Sequence, residues 1–195
     1  MIHTSAGSHG TTKVRADSIN TSGFRPSSKG RRGKGVYFWY ADTLGCEDAK
    51  KLAIAWYKSA FKKGDYSDEK QPCCAVLWVE LSCDQSNVLE LANPRYRSYI
   101  RRLLDKHVPN SDKAVPDEII SSVHDKFIET MSKNMTIDMV LATVTAPKMS
   151  DKLKVALGDP FAYIVRNPEC IKLNPALTEV IENENDHGKS NGFSL

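Results

Sequence analysis

Gly33-Lys34-Gly35-Val36-Tyr37-Phe38-Trp39 runs from a glycine turn into three successive aromatic rings. The glycines let backbone come close to a neighbour or a ligand, and the ring-rich run after them has strand character. Alternation along a strand sends Tyr37 and Trp39 to one face and Val36 and Phe38 to the other. Rings directly after a glycine turn are usually plain core, and what lies upstream and downstream has to decide whether either face meets a ligand. Just upstream, Lys29, Arg31, Arg32 and Lys34 set four positive charges within six residues, as either a solvated loop or an anion-binding one.

Working outward, Glu47 to Lys63 changes to helical period. Ala49, Leu52, Ala53, Trp56, Tyr57 and Ala60 recur at three- and four-residue steps, and Gly64 suits the closing turn. Trp56 reads as core. Cys73 to Leu81 is a nearly continuous apolar run expected as a buried strand, with Glu80 at its wet end and Val88 to Leu91 as a weaker second strand. Helices are expected over 95–107 and 117–133, with His124 on the surface of the second. The first carries Arg95, Arg97, Arg101, Arg102 and Lys106 on its polar face, offset only by Asp105. Thr136 to Val144 is the next strand, a short helix around Leu153 to Leu157 follows, and Phe161 to Val165 is a further strand.

With 195 residues, 41% of them hydrophobic and 26% charged, the chain can build one sizeable soluble core. A single domain over 1–180 is expected, followed by a polar, flexible tail over 181–195. The net charge of +3 is too small to imply a partner, so electrostatic arguments rest on the two local basic clusters. Five cysteines without C-x-x-C spacing or nearby histidines exclude a zinc ribbon and a disulfide framework, and no metal site is expected. No apolar run reaches membrane-span length and no secretory leader is visible, so a cytoplasmic protein is expected.

Three ordered pieces carry a resemblance: His9-Gly10-Thr11 followed by Gly23-Phe24, then Gly33 to Phe38, then Tyr163-Ile164-Val165-Arg166-Asn167-Pro168 with Ile171. Across roughly residues 8 to 174 they resemble the ADP-ribosyltransferase superfamily of the H-Y-E type, which includes diphtheria-toxin-like and poly(ADP-ribose)-polymerase-like enzymes. The resemblance implies an α+β fold, with two mostly antiparallel sheets in a split sandwich, helices outside and NAD between the sheets. It implies that His9 binds a ribose and that the Gly10 backbone, free of any side chain, pairs with the nicotinamide carboxamide. Thr11 lies beside them, and Tyr37 stacks on the nicotinamide. Arg31, Arg32 and Lys34 would meet the pyrophosphate or a polyanionic target.

The reaction implied is cleavage of the nicotinamide–ribose bond through an oxocarbenium-like transition state, for which a carboxylate is the natural stabiliser. The family's glutamate falls at Ala162, which can neither stabilise that charge nor accept a proton. Glu80, Asp159 and Glu169 do not occupy the matching place. Either an active enzyme carries an inactivating alanine, which is the favoured reading, or the protein is a noncatalytic NAD- or nucleic-acid-binding module. The expected function is mono-ADP-ribosyl transfer by a toxin or defence effector, paired with an antitoxin. Lys29, Arg31, Arg32, Arg97, Arg101 and Arg102 favour RNA or DNA as target over protein. The related RNA 2′-phosphotransferases rank last, because the second histidine expected at the Tyr37 position is missing.

Overall fold

A computed structural model describes residues 1–28, 30–70, 72–108, 115–147 and 158–181. The expected helix around 153–157, Lys29 and the tail beyond 181 lie outside the described residues. Among the described residues, eight strands and four α-helices run in the order β1 (Ile2–Thr12), α1 (Lys13–Ser22), β2 (Val36–Ala41), α2 (Glu47–Lys63), β3 (Cys74–Asp84), β4 (Val88–Glu90), α3 (Pro94–His107), α4 (Asp117–Met131), β5 (Met139–Thr143), β6 (Phe161–Val165), β7 (Ile171–Leu173) and β8 (Glu179–Ile181). No helix among the described residues is long and apolar enough to cross a membrane.

The strands form one sheet in the order β4-β5-β6-β2-β1-β3-β7, with β8 also on β3. All pairings are antiparallel except β4 with β5. This corrects the expected two sheets: the mixed α and β composition holds, but the halves are joined. The join is a ladder of three pairs, Ala6↔Ala41, Gly7↔Tyr40 and Ser8↔Trp39, whereas β1 pairs with β3 along its whole length. At the join the side chains of Phe38 and Leu81 close over Gly7, where an added Cβ would lie 2.8 Å from the Phe38 Cβ. A side chain at position 7 therefore has no room. Val36, Phe38, Tyr163 and Val165 from one half meet Val79, Leu81 and Cys83 from the other in a core cluster with no buried α-helix residue.

The opposite face is covered by helices. α2 packs on β1 through small residues, with Ala49 and Ala53 fully buried. It starts with Glu47 and Asp48, ends on Lys62 and Lys63, and closes at left-handed Gly64, whose N–H reaches the Ala60 and Phe61 carbonyls. α3 and α4 cover β4, β5 and β6 with Ile100, Val123, Phe127 and Ile128 over Leu89, Val140 and Ile164. Asn93 caps α3 by accepting from Arg95 N–H, and Pro116 immediately precedes α4. Glu80 is exposed and paired with Lys172 at 2.8 Å, as its placement at a wet position requires.

Candidate functional site

β1 and β2 part company immediately after Ser8 and Trp39. In an antiparallel ladder, alternate residues point their N–H and C=O to opposite neighbours. The bonds from Lys13 N–H to the Cys73 carbonyl and from Gln85 N–H to the Met1 carbonyl fix the odd residues of β1 as facing β3. Gly10 therefore aims its N–H and C=O at β2, where no ladder partner meets them. By the same alternation Tyr37 aims its N–H and C=O at β1. His9 crosses the gap, its Nδ1 donating to the Tyr37 carbonyl at 2.9 Å, and its ring rests edge-on against Phe24 and Phe38. Burial lowers the pKa of His9, with the backbone bond opposing, so the imidazole is neutral at pH 7 and Nε2 is an acceptor.

Tyr37 is held by the glycine loop. Its hydroxyl donates to the Gly33 carbonyl at 2.8 Å and accepts from Arg32 N–H at 3.0 Å. Burial pushes the phenol up to about 12, so the ring stays neutral. Gly33 has φ 101° and Gly35 φ 151°, and a Cβ on Gly35 would lie 2.6 Å from Ile164, so glycine is required to turn this chain into β2. Asp125 on α4 accepts from Lys34 N–H at 2.9 Å, and Arg166 donates to the Lys34 carbonyl at 3.1 Å. Arg32 is half-buried with Nε on the Thr143 carbonyl at 3.0 Å; burial and then nearby Arg31 lower its pKa, although a guanidinium stays charged. Arg97 on α3 is the least of the charges that shift the same group.

A cavity of about 40 Å³ lies in front of Ala162, walled by Ser8, His9, Gly10, Tyr37, Phe38, Trp39, Trp56 and Val144. Ala162 is 2% exposed and pairs with Trp39 across the sheet. The cavity shares His9, Tyr37, Trp56 and Val144 with a cleft of about 1430 Å³ between α1, α2, the glycine loop and α4. Four expected residues, His9, Gly10, Tyr37 and Ala162, thus converge on one space. Thr11 does not line it and is buried. Arg31 lines the cleft but is paired with Asp117 at 3.1 Å, while Lys34 lines it exposed. Arg97, Arg101 and Arg102 are exposed on α3 outside the cleft, with Arg102 over the Tyr99 ring. Of the alternative carboxylates, Asp159 is near Arg32, and Glu80 and Glu169 line neither space.

Gly10 has a packing reason besides any ligand: an added Cβ would lie 1.9 Å from the Ala53 carbonyl oxygen on α2. Two expectations need correction. Trp56 is not core but 43% exposed on the cleft, because the close small-residue contact of α2 with β1 leaves an indole only the flank of the helix. His124 is 5% exposed, with Nδ1 donating to the Ile120 carbonyl at 2.7 Å; it lies on the buried stripe with Val123, Phe127 and Ile128. Sequence reading also passed over Asp125, which holds the glycine loop. Its spacing one turn from Ser121 and Glu129 was the only signal. Among the described residues no group of histidine, cysteine or carboxylate side chains could hold a metal.

Burial holds the His124 pKa down at about 4, against the weaker opposing effect of its backbone bond. The unfolded chain, titrating near pH 6.5, binds the proton first, so the stability is complete above about pH 6.5 and is lost as pH falls toward 4. Full titration removes about 3 kcal/mol, and His9 acts in the same direction. Urea midpoints between pH 7 and pH 4.5 should fall, and His124→Leu should remove much of that fall. An unchanged pH dependence in the variant would assign the effect elsewhere.

No protein-family model matches the chain, and no curated protein sequence matches it.

Proposed function

We propose that this chain is an ADP-ribosyltransferase-type domain that binds NAD in the gap between β1 and β2 and directs ADP-ribose to a polyanionic target. The observation that carries the reading is the interrupted ladder: Gly10 and Tyr37 aim backbone groups into a gap that also holds His9, with Ala162 beside it. An amide needs one donor and one acceptor close together, which the Gly10 backbone offers, and Tyr37 supplies a neutral ring for the pyridine. The neutral His9 offers Nε2 as acceptor to a ribose hydroxyl. Position 162 belongs to the residue that would stabilise positive charge on the ribose, and alanine there leaves the chain as it stands with little turnover.

The join of only three pairs leaves the ladder between the two halves short, which supports a ligand gap just beyond it. The target reading rests on the two basic clusters, Arg31, Arg32 and Lys34 along the cleft and Arg97, Arg101 and Arg102 exposed on α3. The test is transfer of label from NAD, radioactive in the adenylate, to RNA, DNA and protein fractions by the Ala162→Glu variant. Label in the nucleic-acid fractions is expected; label only in protein would replace the polyanion reading.

Four phosphate contacts by Arg32, Arg97, Arg101 and Arg102 give a slope of log affinity against log salt of about −3, a loss of about 50-fold between about 50 and 200 mM salt. Arg101→Glu with Arg102→Glu should flatten that slope. RNA affinity that barely changes over the same range would exclude a phosphate-binding face.

A further inference from the structure

Trp56 lies on the flank of α2 and lines both the cavity in front of Ala162 and the wide cleft. It is 43% exposed, and no hydrogen-bond partner of its indole N–H is found among the described residues. Tyr37, another aromatic wall of the cavity beside Phe38 and Trp39, is tethered by its hydroxyl and sits on the side of the gap. Ser59 and Lys63 continue the Trp56 stripe along the cleft at helical spacing, and Arg25 lines the same cleft. Neither Lys63 nor Arg25 has an ion-pair partner among the described residues, unlike Arg15 and Arg31.

An exposed indole beside uncommitted cations is the arrangement by which proteins hold single strands: the ring stacks a base and the cations follow the phosphates. Stacking needs a base with an open face, and a paired duplex keeps its bases stacked on one another. We propose that Trp56 is the stacking platform for an unpaired base, with Lys63 and Arg25 on the adjoining phosphates, so that the polyanion this cleft accepts is single-stranded nucleic acid. The platform sets that base beside position 162. The inference rests on the transferase reading only for what is delivered to the base; binding of the strand is independent of it.

The experiment is fluorescence anisotropy of a short unstructured RNA strand, and of the same strand in a duplex, with the full chain at low salt and without NAD. A calorimetric NAD titration runs in parallel. The strand should bind at least tenfold tighter than the duplex. Trp56→Ala should weaken strand binding about tenfold or more in the absence of NAD, and Trp56→Phe should retain most of it. Lys63→Glu, at an exposed side chain, should weaken the strand as well and serves if Trp56→Ala does not fold. Strand affinity untouched by both substitutions, equal binding of the duplex, or a Trp56→Ala loss confined to NAD would each overturn the proposal. Absence of NAD binding with the strand results intact would remove the transferase reading and leave the platform standing.

Discussion

Ala162→Glu is expected to raise NAD cleavage by at least about a hundredfold over the chain as it stands, within the range that a positioned carboxylate contributes. The substituted side chain would project from β6 on the face it shares with Trp39 and Ile164, into the cavity of about 40 Å³ that the alanine methyl leaves unfilled. That volume holds at least one water, so a carboxylate enters without displacing the sheet. Its neighbours there include His9 and Tyr37, both neutral, so no fixed positive charge pairs with it before the ribose develops one. Ala162→Gln, similar in shape but uncharged, should stay near the starting rate. An Ala162→Glu variant that is folded and binds NAD yet cleaves none identifies the chain as a noncatalytic NAD-binding module.

Gly10→Ala should lose about 3 kcal/mol of stability or more, because the new methyl meets backbone and cannot be relieved by a rotamer change. Its Cβ would lie 1.9 Å from the Ala53 oxygen and 2.6 Å from the Ala53 carbonyl carbon. Ser8 ties the same strand to the same helix, its hydroxyl donating to the Ala49 carbonyl at 2.7 Å, so α2 cannot simply lift away. A drop in melting temperature of roughly 6–12 °C is expected, at the usual 2–4 °C per kcal/mol for a chain of this size. Gly64→Ala is the control: it has φ 80° and open space around it, so only about 1–2 kcal/mol of backbone strain is at stake. The destabilisation should be present without NAD. A Gly10→Ala protein as stable as the parent, impaired only in NAD binding, would return this glycine to the ligand and take it from the helix.

What could be read in the chain depended on the kind of information each feature needs. The bounds of α2 followed from apolar period and end charges, since both are local. The long strand β3 followed from its apolar run. The convergence of His9, Tyr37 and position 162 was anticipated by motif order alone, and the register of β1, β2 and β6 now gives it a geometry. The union of two half-sheets by three residue pairs depends on contacts between residues 31 to 35 positions apart, which leave no mark in periodicity. Trp56 and His124 were misplaced for opposite reasons. The indole sits on an apolar stripe but beside a contact built from alanine and glycine, and the imidazole was judged by its polarity although its position matched the buried face. β8 was missed because Glu179–Ile181 is short and lies at the edge of the sheet, where a polar residue costs little.

The gap between β1 and β2 is most directly tested by recording amide spectra of the isotopically labelled chain during an NAD titration, with no substitution introduced. The amides of Gly10 and Tyr37, which aim into the gap, should shift together and saturably with NAD, along with the His9 ring signals. Saturable shifts confined to other elements, or none at millimolar NAD, would contradict the assignment of this gap as the nicotinamide site.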